Sequence, residues 1–545
     1  MKNKLILLIS FLAALQAGPA LAQQQGTPAK PKLIIGIVVD QMRYDYLSRY
    51  WNKFGEGGFK KLAGEGYVCK NANYSYVPTY TAPGHASIFT GTTPSVNGIV
   101  ANEWYDRNTG DTVYCVQDTS CRTVGSNSPS AGMMSPANLF NNTIGDELKV
   151  SWGKQCRVIG ISLKDRGAIL PAGHMGDAAY WYDGESGNWV SSTYYMKELP
   201  QWVSRFNEKK ETEKYLSRPW NTLMPMQQYT ESTPDDVPFE TPFPGENRPV
   251  FPHDLPSIRK SPALLRSTPF GNTLTKDFAV EAIRQEKLGQ DNFPDVLIIS
   301  FSSTDYVGHQ FGPNSVETED TYLRLDRDIA GLLTFIDSQA GKKNVLVFLT
   351  ADHGASPCPA YMESLHAHAG VFRTEHLLDS LRKFLNARFS INNWMSCYMN
   401  QSIYLDYKLM EQNNVNPEDM ERSISAFLSN AEGVALCTVS GKLKTMEYRD
   451  GLNGYVQRGY SKTRSGDVII TLQPNWIEWG RTGTTHGSCY SYDTHVPLLW
   501  YGWKVNRGAC DNSTDITSIA PSLSEILGIP APGGCIAPPI SLPLR

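Results

Sequence analysis

Three short apolar runs, each followed by an acidic residue, constrain this chain more than any other feature. Leu33 to Val39 runs into Asp40, Val296 to Ser300 leads to Asp305, and Val345 to Leu349 leads to Asp352. Each run is rich in β-branched residues, lacks polar alternation and is bounded by loop residues. A strand buried on both faces has this pattern. Arg157 to Ser162 and Val496 to Trp500 are further strand candidates, with helical patterns between them at Asn272 to Gln285 and Glu319 to Asp337. Strands alternating with helices predict an α/β fold with a largely parallel central sheet flanked by helices. In such a sheet, ligands collect at the carboxyl ends of the strands, where these acids stand.

Two stretches break the alternation. Residues 170–267 are rich in Pro, Trp, Tyr and Phe, and residues 376–479 carry a helical candidate at Glu418 to Asn430. Both are expected to be insertions in one catalytic domain (residues 23–545) that partly cover the site. The Pro-rich piece Thr241 to Pro256 is expected to be irregular. Lys2 and Lys4 precede the apolar run Leu5 to Leu15, and Ala20-Leu21-Ala22 offers a small-residue cleavage site. Residues 1–22 therefore read as a secretory signal peptide, and the mature protein is expected to be periplasmic or secreted. The run is too short to span a bilayer, and no later segment is long and apolar enough to do so. Removing the leader takes the formal charge from −4 to −6, which gives no basic footprint for nucleic acid.

All ten cysteines lie beyond the leader, and none forms a CxxC pair. An even count in an exported chain favours disulfides over a thiolate metal site. Cys115–Cys121 is expected from its short spacing. Cys358–Cys489 is expected because each lies just beyond a candidate metal ligand.

Those ligands come from four places. In Ser303-Thr304-Asp305-Tyr306-Val307-Gly308-His309 a carboxylate and an imidazole stand four residues apart. Leu349-Thr350-Ala351-Asp352-His353-Gly354 pairs Asp352 with His353, Thr484-Thr485-His486-Gly487 adds a third imidazole, and Asp40 adds a third carboxylate. Carboxylate and imidazole are good zinc ligands. Each piece alone equally fits a solvated loop or a helix cap. Together they supply enough ligands for two metal ions, a standard device for in-line displacement at phosphorus. Thr79-Tyr80-Thr81-Ala82-Pro83-Gly84-His85 reads as a loop entering a helix. Thr81 would then stand at the helix N-terminus, where backbone N–H groups favour an anion, either as an ordinary cap or as a nucleophile. Lys164 and Arg166 flank Asp165 after a strand. If that segment stays extended, both point the same way and can grip a phosphoryl group. His85 is expected only to pack or cap, and His366, His368 and His495 have no partner pattern.

The set Asp40, Thr81, Asn102, Asp305, His309, Asp352, His353 and His486 resembles the alkaline phosphatase superfamily, from about Leu33 to a closing helix at Asp515 to Leu527. The segments around Thr81 and Asn102-Glu103-Trp104-Tyr105 look like the branch shared with nucleotide pyrophosphatases and phosphodiesterases. Lys164 and Arg166 look like the phosphate-irrepressible periplasmic alkaline phosphatases. The resemblance implies two Zn2+ ions, one held by Asp305, His309 and His486, the other by Asp40, Asp352, His353 and Thr81. It implies Thr81 as a nucleophile forming a phosphothreonine, and Asn102, Lys164 and Arg166 as catalytic, substrate-binding groups on the non-bridging oxygens. The expected partners are small-molecule phosphate monoesters, and the expected state is a monomer. A phosphodiesterase or nucleotide pyrophosphatase would share the metals and Thr81 but needs a pocket for a second ester group. Thr at position 81 argues against a sulfatase, and the leader argues against a phosphoglycerate mutase. An exported metal- or glycan-binding protein would not need the full set.

Overall fold

The computed structural model describes residues 29–545, so the expected leader lies outside the described residues. The centre is a twisted sheet in which Leu33–Val39 lies between Asp295–Phe301 and Val345–Thr350, parallel to both. Val158–Ser162 continues the parallel order beyond Asp295–Phe301, and Ala178–Asp183 comes next. The central strands are buried along their whole length, which is why their sequences show no alternation. Outside this parallel core the sheet turns mixed. Leu498–Gly502 runs antiparallel to Val345–Thr350 and also pairs with Tyr67–Asn73, and Asn188–Ser192 runs antiparallel to Ala178–Asp183.

Register levels the carboxyl ends. Val39 stands opposite Phe301, Val38 opposite Thr350, and Ser162 opposite Ser300. Asp40, the Ser303–Phe311 helix, Asp352 and Lys164 therefore emerge along one edge. The Phe270–Gln285 and Val316–Gln339 helices pack over the sheet, and Ile519–Leu527 closes the chain's last turn against the helix Thr81–Thr90.

The stretch 170–267 is not simply an insertion, because Ala178–Asp183 and Asn188–Ser192 belong to the central sheet. Their aromatic composition has a structural cause. Tyr180, Trp189, Trp202 and Phe206 all pack around Phe278. The rest of the stretch, including Thr241 to Pro256, is mostly irregular, as the prolines require. Within 376–479 lies a four-stranded sheet with its own apolar core, built on Leu381, Ile403, Ile424 and Val468 and flanked by helices Thr374–Phe389 and Pro417–Leu428.

All ten cysteines are free thiols, contrary to the sequence expectation. Cys121 contacts the Asp118 carboxylate, whereas Cys115 is fully buried toward Arg166 and Asp165. Cys358 faces the Phe239 and Arg481 carbonyls, whereas Cys489 lies toward Asp493. Proximity to ligands that meet does not by itself bring the following residues together. The cysteines that strand pairing sets side by side are Cys69 and Cys510.

Candidate active site

Four elements deliver the candidate ligands to one point. Asp40 follows the central strand directly. Asp305 and His309 lie one turn apart on the Ser303–Phe311 helix, so both face the same side. Asp352 and His353 sit in the turn after Val345–Thr350, and His486 comes from a loop of the chain's last third. Asp305, His353 and His486 offer ligand atoms within 4.8 Å of one another, as do Asp40, Asp352 and His353. His309 Nε2 lies 3.2 Å from Asp305 Oδ1, and His486 Nε2 lies 3.5 Å from the same oxygen. His353 Nε2 lies 3.5 Å from Asp40 Oδ1 and 3.6 Å from Asp352 Oδ2. All six ligands expected from these loops therefore converge.

The tautomers suit a metal centre. Each of the three imidazoles has its Nδ1 on a backbone carbonyl: His309 on Thr484 O at 2.8 Å, His353 on Gly354 O at 2.9 Å, and His486 on Thr79 O at 2.8 Å. Nδ1 must then carry the proton, and in His353 and His486, which burial keeps neutral, the Nε2 lone pair is presented to the carboxylates. Burial, and then the neighbouring imidazole, pushes His486 down to about 3 and His353 well below the usual range. His309 is partly exposed; desolvation still acts to lower it, but Asp305 more than offsets this and raises it. Burial, and then Asp305, raises Asp40, while burial raises Asp352 to about 7. Asp40 Oδ1 and Asp352 Oδ2 are buried with no hydrogen-bond partner. Lone pairs facing carboxylate oxygens, with some of those oxygens unpartnered, fit divalent cations between them.

Thr81 is the first residue of the helix Thr81–Thr90. The position before it, Tyr80, is the cap and makes no side-chain cap hydrogen bond. Thr81 Oγ lies 3.4 Å from His353 Nε2 and 3.4 Å from Lys164 Nζ, while the residue is 1 % exposed. Asn102 Oδ1 accepts the Ala82 N–H at 2.9 Å, which fixes the side chain beside the helix N-terminus.

The Lys164-Asp165-Arg166 segment is not extended. Lys164 caps, and Asp165 opens, the helix Asp165–Ala172. The two cations still line one open cavity of about 530 Å3, shared with Tyr114, Trp181 and Tyr306. Lys164 Nζ lies 2.7 Å from Asp40 Oδ2 and 2.5 Å from Asp305 Oδ2. Burial alone would lower Lys164, but Asp305 and Asp40 outweigh it and hold the ammonium charged. Arg166 Nη1 donates to Tyr114 Oη at 3.0 Å, and that hydroxyl donates to Asp165 Oδ1 at 2.5 Å.

His85 does more than pack or cap, since its Nδ1 also lies 3.3 Å from Asp352 Oδ2. It is fully buried, with Nδ1 on Thr81 O at 2.9 Å and Nε2 2.9 Å from Ser300 Oγ, tying the helix to the sheet. His495 stacks on Tyr44, and His368 bonds Gln473, so neither reaches the site. Gln41 and Tyr114 were missed by sequence reasoning. Gln41 has φ 62, donates its backbone N–H to Asp352 Oδ1 at 3.1 Å and donates Nε2–H to Asp305 Oδ1 at 2.8 Å. Its place directly after Asp40 was the available signal. Tyr114 lies far from the other motifs in sequence and gave none.

A family model described as type I phosphodiesterase / nucleotide pyrophosphatase matches residues 34–495. The chain is 41% identical over 523 residues to the alkaline phosphatase PafA of Elizabethkingia meningoseptica, covering 95% of this chain and 96% of that protein. It is 44% identical over 517 residues to a Myroides odoratus protein named calcium-transporting ATPase, covering 94% of each. The crystal structure of wild-type alkaline phosphatase PafA superposes with a TM-score of 0.92 at 40% identity, covering 95% of this chain and 100% of that one. The chain belongs to the type I phosphodiesterase / nucleotide pyrophosphatase family, in the PafA-type branch of the alkaline phosphatase superfamily.

Proposed function

We propose that this protein is an exported alkaline phosphatase that hydrolyses phosphate monoesters through a phosphothreonine at Thr81. The observation that carries this reading is the meeting of two acid–imidazole sets at His353, whose Nε2 lies 3.4 Å from Thr81 Oγ, beside a cavity lined by Lys164 and Arg166. Asp305, His309 and His486 would hold one zinc ion, and Asp40, Asp352, His353 and Thr81 the other. When bound, two such ions supply Lewis acidity and a lowered hydroxyl pKa. The leader at residues 1–22 supports export to the periplasm or beyond.

The chain's own residues then divide the work. The Thr81 side chain gives its oxygen to phosphorus as the ester P–O bond breaks, and the departing alkoxide takes up a proton. Water next attacks phosphothreonine, inorganic phosphate leaves, and the Thr81 hydroxyl is restored. Asn102, anchored on Ala82 N, would donate from its amide to a non-bridging oxygen. Lys164 and Arg166 supply fixed positive charge to a dianionic phosphoryl group. A solved variant of alkaline phosphatase PafA replaces a threonine, an asparagine, a lysine and an arginine together, at the spacings that separate Thr81, Asn102, Lys164 and Arg166. That choice supports treating these four as one catalytic unit.

The two cations also favour a monoester over a diester, which carries one charge fewer and has one free oxygen replaced. The Lys164→Ala, Arg166→Ala double variant should lose monoester kcat/KM by several kcal/mol, at about 1.5–3 kcal/mol per hydrogen bond to a charged group. Diester hydrolysis should fall far less. The selectivity ratio should therefore move toward diesters by about a hundredfold or more, at roughly 1.4 kcal/mol per factor of ten. Equal losses on matched substrates would remove the monoesterase reading and favour a phosphodiesterase.

A further inference from the structure

The cavity lined by Lys164 and Arg166 is larger than a phosphoryl group requires. Its volume is about 530 Å3. A single phosphoryl group has the bulk of a few waters, at roughly 30 Å3 each, and fills only part of it. One wall comes from the neighbouring strand. Ala178–Asp183 runs parallel to Val158–Ser162 with Trp181 opposite Ser162, so the turn after Asp183 emerges beside the Lys164–Arg166 segment. Arg266 lies against that turn. It donates its Nη2–H to Tyr182 O at 2.7 Å, and its guanidinium carbon stands 5.5 Å from the centre of the Tyr182 ring. Gly184 leaves the space for it, since a Cβ there would meet Arg266 Cζ at 3.1 Å and Nη1 at 3.2 Å.

Three cations therefore line one cavity. Lys164 is paired with Asp40 and Asp305, but Arg266 has no carboxylate partner among the described residues. The acids on the same walls are turned to other work. Asp165 accepts from Tyr114 Oη, and Asp183 accepts from Ser128 Oγ at 2.7 Å, Ser186 Oγ at 2.6 Å and the Glu185 N–H at 3.1 Å, while Glu185 itself is exposed. Arg166 Nε and Arg266 Nε are both buried with no hydrogen-bond partner. Buried donors without an acceptor are costly, and two guanidinium forks suit two separate oxyanions. The ester oxygen leaves opposite Thr81, on the side of the Asp305, His309 and His486 set. Tyr306, on the same helix as Asp305 and His309, lines this cavity, so the departing alcohol has it to occupy.

Resting on the monoesterase reading above, we infer that Arg266 binds a second phosphoryl group carried by the leaving alcohol, which makes bisphosphates the preferred substrate class. Lys164 and Arg166 hold the phosphoryl group that is transferred, and Arg266 holds the one that departs with the alcohol. The second group adds charge-assisted hydrogen bonds that a simple alkyl monoester cannot make. Arg266 is thus a specificity residue and takes no part in the bond that breaks.

The test compares propane-1,3-diyl bisphosphate with propyl phosphate, which lacks the second phosphoryl group, on the full-length metal-loaded enzyme. The expected kcat/KM ratio favours the bisphosphate by at least about tenfold, the size of one hydrogen bond to a charged group, beyond the factor of about two from its two equivalent ends. Calorimetry on Thr81→Ala, which lacks the nucleophile, should show the same preference in binding. In Arg266→Gln both preferences should fall to the statistical factor, and Arg266→Lys should keep part of them as a point charge. A preference that survives Arg266→Gln overturns the inference. So does an equal loss on both substrates with the ratio kept, which would make Arg266 a clamp of the turn at Gly184. Turnover of propyl phosphate with no preference for the bisphosphate sinks the subsite and leaves the monoesterase reading standing, whereas no turnover of either compound sinks both.

Discussion

Arg166 illustrates how one side chain's value depends on a neighbour that no motif announces. Its guanidinium is partly buried at the edge of the open cavity, and that burial alone would favour losing the charge. Tyr114, Asp165 and Tyr306 more than offset this and keep it cationic. Tyr114 accepts from Arg166 and donates to Asp165, so it sets the direction of the planar fork that must meet a phosphoryl group. Tyr114→Phe should lower monoester kcat/KM by about tenfold, near 1.4 kcal/mol for one lost hydrogen bond to a charged group. In the Arg166→Ala background the same change should cost almost nothing, because the group it orients is gone. Full additivity in that cycle would mean that Tyr114 acts independently of Arg166. Lys164 is held differently, by Asp40 and Asp305. It thus links the proposed phosphate-binding groups to the candidate ligand set, which the simple picture of two parallel cations on an extended strand does not contain.

At the scale of elements, the helix Thr81–Thr90 must press close to the turn that carries Asp352 and His353. Gly84 makes this possible, since a Cβ there would meet Asp352 O at 2.2 Å and Asp352 Cβ at 2.8 Å. Backbone at that distance cannot yield as a flexible side chain would. Gly84→Ala should therefore push the helix from the turn, lower metal occupancy at the Asp40–Asp352–His353 set and cut kcat by at least about tenfold, since small misplacements of reacting groups are costly. Wild-type activity and metal content in Gly84→Ala would show that the close approach is dispensable. The helix and its Thr were legible in sequence because Thr-Ala-Pro-Gly has helix-start chemistry, with Pro early and an unbulky residue after it. The close contact with Asp352 was not, because it depends on where a distant strand ends. The same division holds elsewhere. Buried strands such as Leu33–Val39 announce themselves by composition, whereas Ala178–Asp183 is hidden among aromatics that read as an insertion. The Lys164–Arg166 segment, extended if only its neighbours in sequence are considered, turns into a helix under tertiary packing.

Across the whole molecule, the four elements carrying the acids and imidazoles and the start of the helix Thr81–Thr90, far apart in sequence, meet at one point, and buried like charges there oppose folding without counter-ions. Metal binding and stability should therefore be coupled. Chelation should abolish activity and lower Tm, and zinc should restore both better than magnesium, since the ligand set contains three imidazoles. Ligand at a hundred times its dissociation constant adds about 2.7 kcal/mol to stability. Thermal scans with and without chelator would read this directly, and an unchanged Tm together with full activity in zinc-free protein would contradict it. The ligand residues themselves were legible because each follows a recognisable strand or sits in a Gly-containing turn. Their pairing was not readable from residue types alone, since His353 lies within reach of both acidic sets and only the fold fixes its geometry.

The central claim is that Thr81 takes the phosphoryl group. The most direct measurement is acid quench of the enzyme during turnover of a phosphate monoester, followed by digestion and mass spectrometry of the peptide containing residues 79–85. The account predicts one added phosphoryl group on Thr81, still formed by Thr81→Ser and absent from Thr81→Ala while that variant keeps its zinc. Phosphate trapped on another residue, or undiminished turnover by Thr81→Ala, would contradict it.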